Sequence, residues 1–412
     1  MNRAIESFIE LSEYCKSQAF KGWDPYDGLN SRVFQAIPFA SRSSLMRLIV
    51  IQGFKRSPIN LRRLAWVSKE YNPKGVALCL HAYANIAELL KANPQLQAIL
   101  GSADEIIEQC DDLARLLLSL RSRGEYHGAC WGYNFDWQAR NLFLFPKFTP
   151  TVVASTFAAE ALLKAAQVTG NLEYQNVALS VSEFVINDLH RTPFADGFLF
   201  SYSPLPGNDT VFNASLLGSK LLSTCYRFTG DEKCRNLAEQ SAAACCAGQR
   251  SDGAWVYGML PVQSWVDSFH TGYNLEALQH YEENTGDKQF HEFIERGFDY
   301  YIKHFFESDG CPKYYDNKKY PIDIHCPAQL FVTLSTLKRF DQFMTLAQQV
   351  LRWTNQHMRC RKQGYYYYQL KHGFSSKISY MRWSNAFMLY ALSHFIINLP
   401  QLQAADSKDM ND

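Results

Sequence analysis

The chain has 412 residues, a hydrophobic fraction of 47% and a formal net charge of +1. This composition excludes an intrinsically disordered chain, which would be poor in hydrophobic residues and strongly charged. It also argues against a nucleic-acid-binding protein, because the chain has no extended basic tract. The basic residues that come closest to such a tract alternate with apolar residues and are expected to form a solvated helix face. They are Lys55, Arg56, Arg62, Arg63, Lys69 and Lys74.

The first segment, MNRAIESFIELSEYCKS, is charged and periodic, which is typical of an amphipathic helix and not of a signal peptide. No apolar run approaches the ~18 residues that a membrane-spanning helix needs. Eleven cysteines are present, but no CxxC or Cys/His spacing indicates zinc, and the odd number argues against a disulfide framework. We therefore predict a cytoplasmic protein that holds no metal and no cofactor.

A repeat runs through the chain from residue 169 onward. Three similar triplets, Thr169-Gly170-Asn171, Thr229-Gly230-Asp231 and Thr285-Gly286-Asp287, follow one another at intervals of about 58 residues, close to one two-helix unit. The glycine of each triplet can take the left-handed conformation that ends one helix, and the Asn or Asp can cap the next helix. The triplets therefore predict helix–turn–helix hairpins.

A second marker has almost the same period. It consists of Asp196-Gly197, Asp252-Gly253, Asp309-Gly310 and Gln363-Gly364. Weaker members of this series are Asp27-Gly28, the Asn72–Gly75 turn and Gly128. Seven markers enclose six intervals, and six helical hairpins are the number that closes a ring of α/α units.

Between the markers, apolar residues recur at spacings of three and four, as in STFAAEALLKAAQV, NASLLGSKLLSTCYRF and SNAFMLYALSHFI. No alternating run is long enough for a substantial sheet, although GYYYYQL is consistent with a short β-hairpin. We predict an all-α fold, a single (α/α)6 toroid over residues 1–400 with short β-hairpin loops at one end. A flexible tail is expected at 401–412.

The loops that follow the Asp-Gly markers carry the candidate functional residues. Each loop contains aromatic residues and ends in polar residues that open the next helix, as in DGAWVYGMLPVQSWVDSFHTGYN. In a ring of hairpins all these loops lie at one end, so their polar residues are expected to converge. The candidate catalytic residues are Asp136, Asp267, His270, Asp323 and His325. The candidate substrate-binding residues are Tyr133, Trp137, Arg140, Tyr202, Asn213, Tyr273, Asn274, Tyr314, Arg382 and Trp383.

Each candidate also has a purely structural interpretation. Asn213 is an ordinary helix-capping residue, and either member of the Asp323–His325 pair can cap the helix that continues through Pro327. Arginine beside tryptophan is often a packing arrangement. Asp267 can cap its own helix as well, but capping does not require His270 three residues later. Two histidines, each two or three residues from an aspartate in equivalent loops, favour a functional interpretation.

Two kinds of reaction fit these residues. Paired carboxylates, drawn from the three candidate aspartates, suit glycoside hydrolysis, in which one acid protonates the leaving oxygen and the other activates water. Alternatively, one of the two histidines, with Tyr273 or Tyr202, can move a proton at a sugar-acid carbon while Arg382 or Arg140 holds the carboxylate. The tryptophans and tyrosines offer flat faces for sugar rings. No phosphate loop, dinucleotide fingerprint or serine elbow is present.

The ring of hairpins resembles the (α/α)6 toroids of the six-hairpin glycosidase-like superfamily over nearly the whole chain. QRSDGAW is similar to the Gln…Gly-x-Trp repeat of terpenoid cyclases, but the aspartate-rich motif of those enzymes is not present. The stretches WGYNFDWQAR, FSYSP, FHTGYNLEAL, YPIDIHCPAQ and YMRWSNAFMLYAL are similar to uncharacterised bacterial proteins from surface-polysaccharide gene clusters. Some of these carry the label aminolevulinate dehydratase, an enzyme whose β/α barrel and paired lysines this sequence does not show. The layout is also similar to the helical domain of heparan-type glucuronyl C5-epimerases.

These resemblances imply glycan chemistry in the bacterial cytosol. We therefore expect a carbohydrate-active protein of surface-polysaccharide biosynthesis, with acid/base chemistry of the hydrolase or uronate epimerase/lyase type on an oligosaccharide or polysaccharide. The alternative, which is not an enzyme, is a non-catalytic glycan-binding or assembly protein with the same toroid. We expect no nucleic-acid partner and no transmembrane segment.

Overall fold

The computed structural model describes residues 3–138 and 144–399. The predicted tail at 401–412 and the candidate Arg140 lie outside these ranges. The helices are α1 (Arg3–Ser17), α2 (Arg32–Gln35), α3 (Ser44–Arg56), α4 (Pro73–Ala92), α5 (Gln97–Leu100), α6 (Ala103–Ser119), α7 (Val152–Thr169), α8 (Leu172–Asn187), α9 (Phe212–Thr229), α10 (Glu232–Ala247), α11 (Ser268–Thr285), α12 (His291–Phe305), α13 (His325–Thr336), α14 (Phe340–His357) and α15 (Phe387–Ile397). The strands are β1 (Trp137–Gln138), β2 (Leu144–Phe145), β3 (Arg191–Phe194), β4 (Gly197–Phe200), β5 (Ile322–Asp323), β6 (Gln369–Leu370) and β7 (Ser375–Ser376).

Six helices form the inner ring of a toroid, in the order α4, α7, α9, α11, α13 and α15, and α15 closes the ring against α4. Each inner helix has an outer partner: α6, α8, α10, α12 and α14 follow their partners in the chain, and the N-terminal helix α1 covers α15. In the inner helix α7, 14 of 18 residues are buried, against 6 of 15 in the outer helix α12. This contrast is expected when one helix is packed on all sides and the other only on one face. The predicted six hairpins and the all-α toroid are confirmed.

The Thr-Gly triplets turn the chain from an inner to an outer helix. Gly170, Gly230 and Gly286 end α7, α9 and α11 with φ angles of 74°, 72° and 74°, in the left-handed region that glycine adopts without strain. Asn171 and Asp231 then cap α8 and α10, each accepting a backbone N–H at 3.0 and 2.9 Å. The turns predicted from these triplets are confirmed, but the predicted cap is wrong for the third triplet, because the N-cap residue of α12 is Phe290, with no side-chain cap, and not Asp287.

The second series of glycines lets successive hairpins approach each other closely. A Cβ atom on Gly197 would lie 2.1 Å from the carbonyl oxygen of Gln240, in the outer helix of the next hairpin. The same conflict with the next outer helix around the ring exists at four further glycines: Gly128, Gly253, Gly310 and Gly364. The period of this marker therefore reflects a backbone contact that recurs from hairpin to hairpin.

Two of the weaker markers do not belong to this series. A Cβ atom on Gly28 would meet the ring of Phe54, and one on Gly75 would meet Arg382, each at 3.3 Å and neither in an outer helix. The prediction was wrong for these two because glycine follows aspartate or asparagine in turns of many kinds.

The basic residues between positions 55 and 74 do not form one solvated helix face, so this prediction was also wrong. The Arg62 side chain is fully buried and its Nε lies 2.6 Å from Asp27 Oδ1. Lys74 is the second residue of a different helix, α4, and is 4% exposed. An alternation of basic and apolar residues cannot show which basic side chain finds an acidic or aromatic partner elsewhere in the fold.

The close approach at the marker glycines can be tested with one substitution and a matched control. We expect Gly197→Ala to lower the free energy of unfolding by about 1–3 kcal/mol, because the added methyl group overlaps the Gln240 carbonyl. Gly53→Ala in α3, where no atom lies within 4 Å of the added Cβ, is expected to raise it by up to about 1 kcal/mol. Urea unfolding followed by circular dichroism measures both. Equal midpoints for the two variants would show that the glycine contact is unimportant.

Five long connections run from an outer helix to the next inner helix, and all of them lie at one end of the ring, which we call the mouth. They contain the short antiparallel pairs β1–β2 and β3–β4 and the sheet β5–β6–β7. The GYYYYQL stretch contributes β6, which pairs with both of its neighbours. The connection between α1 and α4, which we call the 18–71 segment, reaches the same end: Asn30 Nδ2 donates to the Asn134 carbonyl at 2.9 Å.

All eleven cysteines are free thiols, and every one except Cys360 is buried. Cys245 and Cys246 are packed as small apolar residues, as predicted. Within residues 3–138 and 144–399, none of the helices combines the length and the apolar character needed to cross a bilayer.

Candidate active site

The start of α11 holds an aspartate–histidine pair. Asp267 caps the helix, because its Oδ1 accepts the backbone N–H of His270 at 3.0 Å. Its Oδ2 lies 2.7 Å from His270 Nδ1 and also accepts the Trp265 indole N–H at 2.9 Å. Since a carboxylate only accepts, Nδ1 of a neutral His270 carries the proton and Nε2 is the acceptor. The Asp267 side chain is fully buried and that of His270 is 21% exposed, as suits a general base oriented by a buried acid.

A second group of titratable side chains comes from three inner helices. Tyr273 Oη lies 3.0 Å from His325 Nε2 and 3.2 Å from Lys74 Nζ, and all three side chains are buried. Burial, with Arg382 nearby, lowers the pKa of Lys74 well below its usual value. Burial also lowers the pKa of His325 and raises that of Tyr273. Burial therefore disfavours the charged form of each group, and the three side chains make a hydrogen-bonded chain.

The aspartate–histidine pair and this chain meet at Phe269. Its ring centroid lies 4.0 Å from that of His270 and 4.9 Å from that of His325. The two candidate histidines, 55 positions apart in the sequence, thus contact the same phenyl ring. Phe269 is itself only 4% exposed, and it contacts the partly exposed imidazole of His270 as well as the buried imidazole of His325.

Asp323 differs from Asp267 in what its oxygens bind. They accept the backbone N–H of His325 at 2.9 Å, the Trp383 indole N–H at 2.8 Å and the Gln369 amide at 2.5 Å. The residue is fully buried, and burial raises its pKa to about 6. Because the imidazole of His325 faces Tyr273 instead, Asp323 and His325 do not form a second side-chain pair. Asp323 holds the start of α13 and the Trp383 ring in place.

Arg382 forms an ion pair with an acidic residue that was not among the candidates from the sequence. Its Nε and Nη2 donate to the two carboxylate oxygens of Asp24 at 2.6 and 2.8 Å, and both residues are about 95% buried. Arg382 belongs to a π-helical turn, Met381–Ala386, that leads into α15. Its guanidinium also lies over the rings of Tyr133 and Trp383. This arrangement argues against the predicted role of Arg382 as an open carboxylate anchor and makes it a positioning residue.

The aromatic candidates form a continuous wall at the mouth. Tyr133 and Tyr202 share a hydrogen bond of 3.1 Å between their hydroxyls, and Tyr202 contacts Trp137. Tyr26, from the 18–71 segment, contacts both Trp137 and Trp383, with ring centroids 6.3 and 5.7 Å apart. On the other side Tyr314 packs edge-on against Phe269. Residues from five different connections are therefore joined by a series of ring contacts, and Tyr314 joins the series through Phe269 of α11, which also contacts Trp383.

The remaining candidates are less closely joined to these groups. Asp136 accepts the backbone N–H of Lys147 at 2.7 Å, which is a turn-stabilising contact. Asn213 Nδ2 and Asn274 Oδ1 are buried with no hydrogen-bond partner among the described residues. Such atoms are candidates for contact with a bound molecule, since buried polar groups are normally satisfied. Arg140, outside the described ranges, has no assigned position.

Sequence reasoning missed Asp24, Tyr26 and Lys74. One signal for Lys74 is present in the sequence: it follows Asn72-Pro73, a helix start, where a cation opposes the helix dipole. A lysine in that place indicates a compensating tertiary contact. For Asp24 no comparable signal exists, because its partner lies 358 positions away.

A further polar layer lies deeper in the ring. Lys220 Nζ pairs with Glu160 Oε1 at 2.6 Å, and Glu276 contacts Gln329 and Thr333. Burial raises the pKa of Glu276 to about 7, although the positive charge of Lys220 opposes this. Among the described residues, no cluster of three or more His, Cys, Asp or Glu side chains could hold a metal ion.

The raised pKa of Glu276 predicts a pH-dependent stability. Because the folded pKa of about 7 exceeds the usual 4.5, the contribution of this group is complete below pH 4.5 and is lost as the pH rises through about 7. The Glu276→Gln variant does not titrate there, so between pH 5 and pH 8 it is expected to gain about 1–3 kcal/mol relative to the wild type. Urea unfolding at several pH values measures this, and Glu292→Gln on the exposed surface of α12 is the control. A constant difference between the Glu276→Gln variant and the wild type would contradict the assignment.

A separate groove of about 890 Å³ lies on the flank of the toroid, between α1 and the segments 58–69 and 361–379. None of the candidate residues lines it. We nevertheless assign the candidate active site to the mouth, because the hydrogen-bonded aspartate, histidine, tyrosine and lysine groups lie there. Volume alone does not indicate chemistry.

No protein-family model and no curated protein matches this chain. Among solved structures, it is similar to a GH76 α-mannanase of Bacteroides thetaiotaomicron, with 13% identity, a TM-score of 0.55 and coverage of 82% of this chain and 87% of that chain. It is also similar to cellobiose 2-epimerase from Bacillus thermoamylovorans, with 14% identity, a TM-score of 0.56 and coverage of 81% and 90%. A third similar structure is an unsaturated glucuronyl hydrolase specific for heparin, with 12% identity, a TM-score of 0.57 and coverage of 96% of both chains. At these identities the likeness shows the fold alone, and the chain has the predicted (α/α)6 toroid.

Proposed function

We propose that this protein is a carbohydrate-active enzyme that performs acid/base chemistry on a glycan bound at the mouth. Of the reactions predicted from the sequence, proton transfer at a sugar carbon, as in uronate epimerases and lyases, has the best support. The observation that carries this proposal is the Asp267–His270 pair beside the His325–Tyr273–Lys74 chain, with Phe269 in contact with both.

Proton transfer at carbon needs a base on one side of the sugar and a proton donor on another. His270 supplies an oriented imidazole whose Nε2 is available to take a proton, and its partial exposure lets a ligand reach it. Tyr273 supplies a phenol whose proton can be replaced through His325 or Lys74. An epimerase requires both groups, because the proton leaves one face of the carbon and returns to the other.

Hydrolysis has less support because the candidate carboxylates are occupied. Glycoside hydrolysis needs one carboxyl group at the leaving oxygen and a second at water or the sugar. Asp267 and Asp323 each accept three hydrogen bonds and are at most 2% exposed. Asp136 accepts a backbone N–H.

A saccharide substrate is supported by the aromatic wall and by the similar structures, a mannanase, a cellobiose epimerase and a glucuronyl hydrolase. A uronate would need a cation for its carboxylate. Lys55, whose Nζ lies 2.6 Å from Tyr26 Oη at the mouth, is available for this role while Arg382 holds Asp24. A place in bacterial surface-polysaccharide biosynthesis, in the cytoplasm, is proposed from the resemblance of the quoted sequence stretches.

Deuterium exchange tests the proposal. The protein is incubated in heavy water with a panel of reducing sugars, uronates and oligosaccharides, and the products are examined by proton NMR and mass spectrometry. We expect one sugar class to lose a single C–H signal and gain one mass unit without new reducing ends. New reducing ends without deuterium uptake would indicate a hydrolase and contradict the proposal.

The alternative, a non-catalytic glycan-binding protein, is favoured by one observation: aromatic side chains outnumber accessible acids and bases at the mouth. Titration calorimetry with the same panel separates the two. Binding of a glycan that shows neither exchange nor cleavage would establish the alternative.

A further inference from the structure

The 18–71 segment has an outward face that is unlike the rest of the surface. Ten of the 18 strongly exposed large hydrophobic residues in the described ranges lie between positions 33 and 66. They come from α2, α3 and the turns beside them. An exposed apolar concentration of this kind marks an interaction surface.

Helix α3 shows how this face is built. Ile51 is buried and packs with Leu29, Phe34 and Ala40 in a small core of the segment. Leu45 and Ile49, one turn apart, are 64% and 54% exposed on another face of the same helix. The helix is therefore apolar on two faces, only one of which has a partner within the chain.

Two turns present aromatic side chains to solvent. Phe39 and Trp66 are 77% and 67% exposed, and their φ angles are 63° and 53°, in a region that residues other than glycine rarely adopt. Leu64, beside Trp66, is 77% exposed. The backbone thus holds large apolar side chains outward at its turn tips.

The charge of the same segment indicates the chemistry of its partner. Residues 28–69 contain eight basic and no acidic residues. The exposed ones surround the apolar tips: Arg32, Arg42, Arg56, Arg63 and Lys69. Arg62, by contrast, is buried against Asp27.

We propose that this face docks on the surface of an anionic lipid bilayer. Proteins that bind at a membrane surface combine exposed apolar side chains with basic side chains. The apolar side chains enter the headgroup region, while lysine and arginine bind the acidic headgroups. A symmetric contact between two copies is disfavoured, because it would bring the two acid-free faces together. Tyr26 of the same segment belongs to the aromatic wall at the mouth, so a docked chain holds its mouth close to the bilayer.

Vesicle sedimentation with the full chain tests this proposal without any glycan, so its failure leaves the acid/base proposal untouched. We expect binding to vesicles of phosphatidylcholine with phosphatidylglycerol, weaker binding at high salt, and little binding to phosphatidylcholine alone. The variant Phe39→Ser/Leu64→Ser/Trp66→Ser is expected to bind at least about 10-fold more weakly. The variant Arg42→Glu/Arg56→Glu is expected to lose binding to the anionic vesicles.

The control is Leu172→Ser, which removes a side chain that is 67% exposed at the start of α8 and is expected to bind as the wild type does. All these side chains are exposed, and thermal melts check that the variants stay folded. No binding to anionic vesicles, or equal binding by the wild type and both multiple variants, would overturn the proposal. So would a wild-type dimer, seen by analytical ultracentrifugation, that the serine variant dissociates, since the partner would then be a second copy.

Discussion

His270→Gln is expected to reduce turnover by about 10²–10⁴-fold while leaving glycan affinity nearly unchanged. Glutamine has a similar reach and can still bond to Asp267, but it cannot take a proton from carbon. The loss should therefore appear in kcat and not in the dissociation constant. The rate of deuterium incorporation and titration calorimetry measure the two quantities.

Two further variants sharpen this result. Asp267→Asn is expected to lower the rate as well, because an amide can donate to Nδ1 and so favours the wrong tautomer of His270. Asp136→Asn is the control and should retain the wild-type rate, since among residues 3–138 and 144–399 that carboxylate accepts the Lys147 backbone N–H and no other hydrogen bond. If His270→Gln exchanged deuterium at the wild-type rate, His270 would not be the base.

The second large effect concerns the Arg382–Asp24 pair. Arg382→Met is expected to lower the free energy of unfolding by about 3–5 kcal/mol, because it leaves the Asp24 carboxylate buried without its partner. Asp24→Leu should cost a similar amount. The double variant Arg382→Met/Asp24→Leu is expected to be more stable than either single variant, since no uncompensated charge remains. Urea unfolding measures all three.

An exposed ion pair provides the matched control. Arg250 Nη2 lies 2.6 Å from Asp252 Oδ2, but the two side chains are 52% and 43% exposed. Arg250→Met should therefore change stability by less than about 1 kcal/mol. If the losses of Arg382→Met and Asp24→Leu simply added in the double variant, the two residues would not act as a pair.

The fold was predictable because its signals are local and repeated. A Thr-Gly-Asn turn needs only a glycine that accepts a positive φ and a cap that follows it, as at Gly170 and Asn171. The Asp-Gly period was also visible, but its cause was not. The contact between Gly197 and Gln240 joins two hairpins, and sequence spacing does not show which atoms meet.

The contact between Asp267 and His270 was predictable because the two residues are neighbours at the start of one helix. His270 is the third residue of α11, where a side chain points back toward the cap, so its imidazole meets the Asp267 carboxylate. His325 is the first residue of α13 and lies two positions after Asp323, which turns its ring toward Tyr273 instead. The two aspartate–histidine pairs are therefore not equivalent, because the residues are three positions apart in the first pair and two positions apart in the second.

The parts that the sequence did not indicate depend on long-range contacts. Lys74 meets Tyr273 across 199 positions, and Asp24 meets Arg382 across 358. The Asp24–Arg382 contact is set by closure of the ring, which brings the 18–71 segment beside the turn that leads into the last inner helix. The Lys74–Tyr273 contact joins α4 and α11, two inner helices that are not neighbours in the ring. No local pattern encodes such a pairing.

The most direct test of the site is a crystal structure with the sugar that exchanges deuterium. We predict a sugar ring at the mouth, with its reacting carbon or an attached hydroxyl within about 3.2 Å of His270 Nε2, or one water away. The ring should also pack against the aromatic wall that includes Trp137 and Trp383. A sugar bound in the flank groove beside Tyr14 and Trp23, with His270 out of reach, would contradict the assignment.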